Sequence, residues 1–134
     1  MASKVLIVDD EAHIVQVVSL KLRNAGYEVL TAVDGEEAFE IACAECPDLI
    51  VTDFQMPYMT GLELCQALAS ETTTTDIPVL ILTARGYALD DDDLQIGNIK
   101  GVLSKPFSPR AILQQVKDLI GPSDADTSRE ADAA

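Results

Sequence analysis

Short runs of consecutive apolar, largely β-branched residues recur along this chain, and each stops on a polar side chain. KVLIV at 4–8 gives way to Asp9, Asp10 and Glu11; LIV at 49–51 to Thr52 and Asp53; and PVLIL at 78–82 to Thr83, while a further strand at 99–103 is ended by Ser104, Lys105 and Pro106. Such runs suit central parallel strands buried on both faces, where no polar alternation is needed.

Between the runs the apolar spacing becomes helical. From Glu11 onward Ile14, Val17, Val18, Leu22 and Ala25 share one face, and Gly26 is placed to end that helix. A short strand follows at 28–31. Asp34 can then cap a helix that carries Glu36 and Glu37 in its first turn, where the helix dipole favours them. Gly61, Leu64, Cys65 and Leu68 form the next stripe, and the threonine run at 72–75 with Asp76 and Pro78 reads as a polar connection. A fourth helix is due over 86–98, although four consecutive aspartates at 90–93 repel one another there. Ser108 as N-cap and Pro109 at N1 open a last helix, with Ile112, Leu113, Val116, Leu119 and Ile120 as its apolar face. Five strands alternating with five helices predict a single doubly wound α/β domain over residues 1–120. Residues 121–134 contain no large apolar side chain and are expected to form a disordered acidic tail.

At 134 residues and 48% hydrophobic content the chain suffices for one domain with a substantial core, not two. No apolar run approaches a membrane span, and acidic residues follow the N-terminal run at once, so no signal peptide is expected and the protein is read as cytoplasmic. Cys43, Cys46 and Cys65 are then expected to be reduced thiols. The first two spell C-x-x-C, but at a helix end, where the dipole does not lower a thiol pKa, and His13 is the only histidine to join a metal site. The net charge of −14 argues against nucleic acid as a partner. The nine Lys and Arg residues look scattered along the chain, and no acidic partner is expected either.

Parallel strands bring their carboxyl ends to one edge, so Asp9, Asp10, Asp53, Thr83 and Lys105 should meet in one crevice. Three carboxylates against one lysine leave a charge deficit that a hard divalent cation fills, and an all-oxygen site with open positions suits Mg2+ better than calcium. A cation, an ammonium and a hydroxyl around one carboxylate are the parts needed to transfer a phosphoryl group onto it.

With VDDE at 8–11, TDFQMP at 52–57, TGLEL at 60–64, LTA at 82–84 and SKPF at 104–107, the chain closely resembles the receiver domain of two-component response regulators, over about residues 4–120. The resemblance implies a flavodoxin-like sheet of strand order 2-1-3-4-5. It implies Asp53 as phosphoacceptor, Asp10 as a direct Mg2+ ligand with Asp9 assisting, and the backbone carbonyl of Gln55 completing the metal site alongside Asp53. Lys105 would pair with the phosphoryl group, and Thr83 would move to hydrogen-bond it past the small Ala84. The implied donor is a phosphohistidine on a sensor histidine kinase or histidine phosphotransfer protein. The expected role is that of a single-domain regulator, not a conventional enzyme, which assists its own phosphorylation and signals to a downstream protein target by contact. A phosphorelay intermediate and a phosphorylation-independent docking module are the alternatives. A hydrolase of the haloacid dehalogenase type would want an aspartate where Gln55 stands.

Two positions depart from the family pattern. Val102 stands where an aromatic residue usually follows the threonine, and the aspartates at 90–93 lie in the segment that commonly forms the output face. Val102 is stiff and short. An order–disorder shift over 85–98 is therefore expected to carry the signal instead. The Lys105–Pro106 bond is expected to be cis, as in the family.

Overall fold

The computed structural model describes residues 3–54, 59–83, 99–104 and 108–121. Five strands, β1 (Lys4–Val8), β2 (Glu28–Ala32), β3 (Leu49–Asp53), β4 (Val79–Thr83) and β5 (Ile99–Ser104), form one parallel sheet in the order β2-β1-β3-β4-β5. Among the described residues four helices accompany them: α1 (Ala12–Asn24), α2 (Gly35–Glu45), α3 (Gly61–Ser70) and α4 (Pro109–Ile120). The helix expected over 86–98, the shift expected over 85–98, the Lys105–Pro106 bond and the tail beyond Gly121 lie outside the described residues.

The pleat divides each apolar run between two cores. Val5, Ile7, Leu49, Val51, Leu80 and Leu82 pack with Val18 and Leu22 of α1 and with Ile112 and Val116 of α4. Leu6, Val8, Ile50, Val79 and Ile81 pack with Ala38 and Ala42 of α2 and with Leu64 and Leu68 of α3. Thus α1 and α4 cover one face of the sheet, and α2 and α3 cover the other. The strands outrun their apolar residues because a ladder continues wherever backbone groups find partners: β3 pairs as far as Asp53, opposite Leu82 of β4. A register shift between Val79 and Leu80 puts Ile99 and Gly101 of β5 opposite those two residues, with Lys100 left over as a bulge.

The helices follow the expected chemistry with two adjustments, one at an end and one on a face. The side chain of Asp34 accepts from the Glu37 N–H at 2.8 Å, and Ser108 accepts from the Ala111 N–H at 3.1 Å with Pro109 at N1. Ala25, not Gly26, is the C-cap of α1; Gly26 follows it at φ 98. From there the Gly26 N–H reaches Arg23 O and the Tyr27 N–H reaches Leu22 O, a paired closure that a left-handed glycine permits. Val17, expected on the buried face, is 38% exposed: the helix turns Ile14, Val15, Val18 and Leu22 to the core and leaves Val17 on its shoulder.

The threonine run is not wholly polar connection. Thr74 is buried, and its hydroxyl donates to Leu68 O at 2.7 Å, closing the end of α3. Gly121, placed by expectation in the disordered tail, is held by its N–H to Lys117 O at 2.8 Å and by the Tyr27 hydroxyl donating to its carbonyl at 2.7 Å. Among the described residues no helix is long and apolar enough to cross a membrane.

Candidate functional site

The carboxyl ends of β1, β3 and β4 lie side by side at the centre of the sheet, where the strand order reverses between β1 and β3. Doubly wound sheets place their ligands at this point. The Asp9 N–H still bonds Ala32 O at 3.2 Å, so the backbone of β1 stays tied to β2 one residue beyond the strand. The Asp9 carboxylate turns back and accepts from the Glu11 N–H at 2.9 Å, which shapes the entry to α1, whose N-cap Glu11 makes no side-chain cap of its own. Asp9 is thereby buried at 1% exposure while Asp10 stands in solvent.

Asp53 is the last residue of β3 and is 6% exposed. The backbone of Asp53 and Phe54 is held by three hydrogen bonds. The Thr52 hydroxyl donates to Asp53 O at 3.0 Å, the Phe54 N–H donates to Leu82 O at 2.8 Å, and Phe54 O accepts from the Gly61 N–H at 2.8 Å. Gly61 opens α3 so close to the strand end that a Cβ there would stand 2.9 Å from the Asp53 carbonyl oxygen. Only a residue without a side chain allows this approach. TGLEL marks the position in the chain, but its spatial reason is visible only once α3 is packed against β3.

The fold brings carboxylate oxygens of Asp9, Asp10 and Asp53 within 4.8 Å of one another. Like charges this close repel, and an all-oxygen donor set is what a hard cation such as magnesium selects. The donor set therefore fits that ion. Thr83 ends β4 beside β3, buried at 1% exposure, and its register partner is Ser104 of β5, the residue before Lys105. Gln55, Ala84 and Lys105 lie outside the described residues. Val102 pairs with Ile81 in the β4–β5 ladder and is half-buried against the core under α2 and α3. His13 is exposed on α1 and does not join the carboxylates.

None of the three thiols joins the carboxylate group. Cys43 is half-buried in α2, and burial, then Glu71 and Cys46, push its thiol above the usual range. Cys46 is exposed and adopts the left-handed conformation, φ 48, that ends the helix. Cys65, on α3, is buried in the core that α2 and α3 cover.

Comparison with known proteins agrees with this geometry. The family model described as "Response regulator receiver domain" matches residues 5–117. The alkaline phosphatase synthesis transcriptional regulatory protein PhoP of Bacillus subtilis is 40% identical over 121 residues, which are 90% of this chain and 49% of PhoP. The chain thus spans about half the length of the curated relatives it matches. The chemotaxis response regulator CheY4 of Vibrio cholerae superposes with a TM-score of 0.81 at 37% identity, covering 89% of this chain and 99% of that one. The receiver domain of a sensor histidine kinase from Pseudomonas aeruginosa, solved with a magnesium ion coordinated in its active-site cleft, superposes with a TM-score of 0.79 at 26% identity, covering 90% and 99%. With the sheet order, the acidic edge and the matched span in agreement, the chain belongs to the response regulator receiver domain family.

Proposed function

We propose that Asp53 accepts a phosphoryl group from a phosphohistidine of a sensor histidine kinase or histidine phosphotransfer protein. The observation that carries this reading is the gathering of Asp9, Asp10 and Asp53 within 4.8 Å at the end of the central strand. A carboxylate oxygen of Asp53 attacks phosphorus in line. The O–P bond forms as the N–P bond breaks, and the imidazole leaves with the electron pair and takes up a proton. Asp10 and Asp53, with the Gln55 carbonyl and the assistance of Asp9, would hold magnesium. When bound, the ion supplies positive charge against the phosphoryl oxygens. Lys105 neutralises a further phosphoryl oxygen, and the Thr83 hydroxyl donates to another. The hydrogen bonds of Thr52 to Asp53 and of Leu82 and Gly61 to Phe54 keep the nucleophile in place without reorganisation.

The phosphorylated domain then signals to a downstream protein by contact, in the cytoplasm. The test is labelling by acetyl phosphate with magnesium, followed by mapping of the modified residue. Asp53 is the expected site and Asp53→Asn is expected to carry no label; undiminished labelling of that variant refutes the assignment.

A further inference from the structure

Gly35 and Gly61 open α2 and α3, and at both the need is for space. Gly35 is buried, and unlike Gly26 and Gly121 it does not take a positive φ. A Cβ at Gly35 would stand 2.8 Å from the Met59 Cβ, 2.8 Å from its Sδ and 2.9 Å from its Cγ. Ordinary contact between carbon atoms lies at about 3.5–4.0 Å, so Met59 fills the space that a side chain at 35 would take. The thioether end of a methionine can swing aside, but its Cβ is fixed to the backbone. Any side chain at 35 must therefore move the chain at residue 59.

Both partners in this contact are tied to rigid parts of the fold. The first turn of α2 is held by the Glu37 N–H donating to the Asp34 carboxylate at 2.8 Å and by the Val33 N–H donating to the Glu37 carboxylate at 2.8 Å. Met59 packs on the core under α2 and α3. Two residues on, the Gly61 N–H donates to Phe54 O at 2.8 Å, and Gly61 leaves no room for a Cβ beside the Asp53 carbonyl. A line of contact thus runs from the start of α2 through Met59 and the start of α3 to the end of β3. Phe54 and Met59, which it holds, are the two ends of the connection that includes Gln55.

We propose that Met59, seated on Gly35, is a positioning residue for phosphoryl transfer to Asp53, a role that rests on the phosphoacceptor reading above. It acts through Gly61 and Phe54, which set where β3 ends and so where its last carboxylate stands. Relieving a contact of 2.8 Å displaces the chain at 59 by about 1 Å, and a misplacement of that size can cost about a hundredfold in rate. A loss caused by Gly35→Ala cannot be laid to a weaker α2, because alanine is the better helix former.

The test is the rate of Asp53 labelling by acetyl phosphate at saturating magnesium, read together with hydrogen exchange in the metal-free protein. Gly35→Ala is expected to label at least about tenfold more slowly and to speed exchange at the Gly61 amide more than at Leu6 in the core of β1. Met59→Gly removes all three crowded atoms and the seat with them. It is expected to label slowly as well, and Gly35→Ala added to it is expected to cost nothing further. Met59→Leu keeps a side chain of similar volume and is expected to label near the unaltered rate. Ala42→Gly, which weakens α2 about two turns beyond Gly35, is expected to lower the melting temperature and leave the labelling rate unchanged. Normal labelling of Gly35→Ala, an additive loss in the double variant, unchanged exchange at Gly61, or an equal loss in Ala42→Gly would overturn the proposal and leave Asp53 as the phosphoacceptor. The comparison of Met59→Gly with Met59→Leu carries the same test without touching α2, and equal rates there would overturn it too. Undiminished labelling of Asp53→Asn would overturn the phosphoacceptor reading and this proposal together.

Discussion

Burial pushes the Cys65 thiol up from 9.0 to about 12, because a thiolate inside α3's packing would lose its hydration without gaining a partner. The folded state therefore holds the proton more tightly than the unfolded chain does. That contribution to stability is complete below pH 9 and is lost as the pH rises toward 12. In the native protein at pH 8, a disulfide thiol reagent is expected to react first at exposed Cys46, more slowly at half-buried Cys43, and at Cys65 only after unfolding. Three equal native rates would contradict the packing of α3. The proposed phosphoacceptor position is also a matter of single residues. Asp53 is recognisable in the chain as the polar stop of an apolar run, whereas the need for glycine at 61 arises from one 2.9 Å approach to its carbonyl.

At the scale of elements, the two helices that flank the acidic edge begin differently. α3 starts with a reciprocal box: the Glu63 N–H donates to the Thr60 hydroxyl at 3.1 Å, and the Thr60 N–H donates to the Glu63 carboxylate at 2.9 Å. α1 has no side-chain cap and relies on the Asp9 carboxylate receiving the Glu11 N–H. Thr60→Ala is expected to lower the unfolding free energy by about 1 kcal/mol, read as a shift in the urea midpoint. Gln66→Ala, at an exposed position of the same helix, is expected to change it by less than about 0.5 kcal/mol. If the two variants are equally stable, the box is not holding α3. The capping residues at 34 and 108 are legible in the chain because the bond they make is to a backbone group three residues on. The role of Thr74 is not, because its partner Leu68 belongs to the preceding helix and the hydroxyl is buried only when α3 docks.

For the whole molecule, magnesium held by the gathered carboxylates, as proposed, would couple metal binding to folding. The repulsion among Asp9, Asp10 and Asp53 arises only where the sheet has brought them together, so the ion would bind the folded state in preference to the unfolded chain. Magnesium at about one hundred times its dissociation constant is expected to add about 2.7 kcal/mol of stability, seen as a rise in melting temperature that a chelator reverses. Asp10→Ala is expected to abolish the rise, and His13→Ala, on an exposed helix surface away from the carboxylates, to preserve it. Equal behaviour of the two variants would show that the ion sits elsewhere.

The amino-acid sequence by itself determined the alternation of strands and helices, the polar residues on which the central strands stop, and through its five motifs the family. The physical reason is that a parallel strand buried on both faces must be nearly all apolar, and its end must return to polar chemistry. Periodicity records burial averaged along one element. It does not say which surface a distant element will cover. The tertiary structure alone decided that Val17 and Leu20 remain in solvent, that Gly61 must touch the Asp53 backbone, and that Thr74 closes α3. It also decided that α1 and α4, far apart in the chain and carrying Lys21, Arg23, Arg110 and Lys117 between them, cover the same face of the sheet.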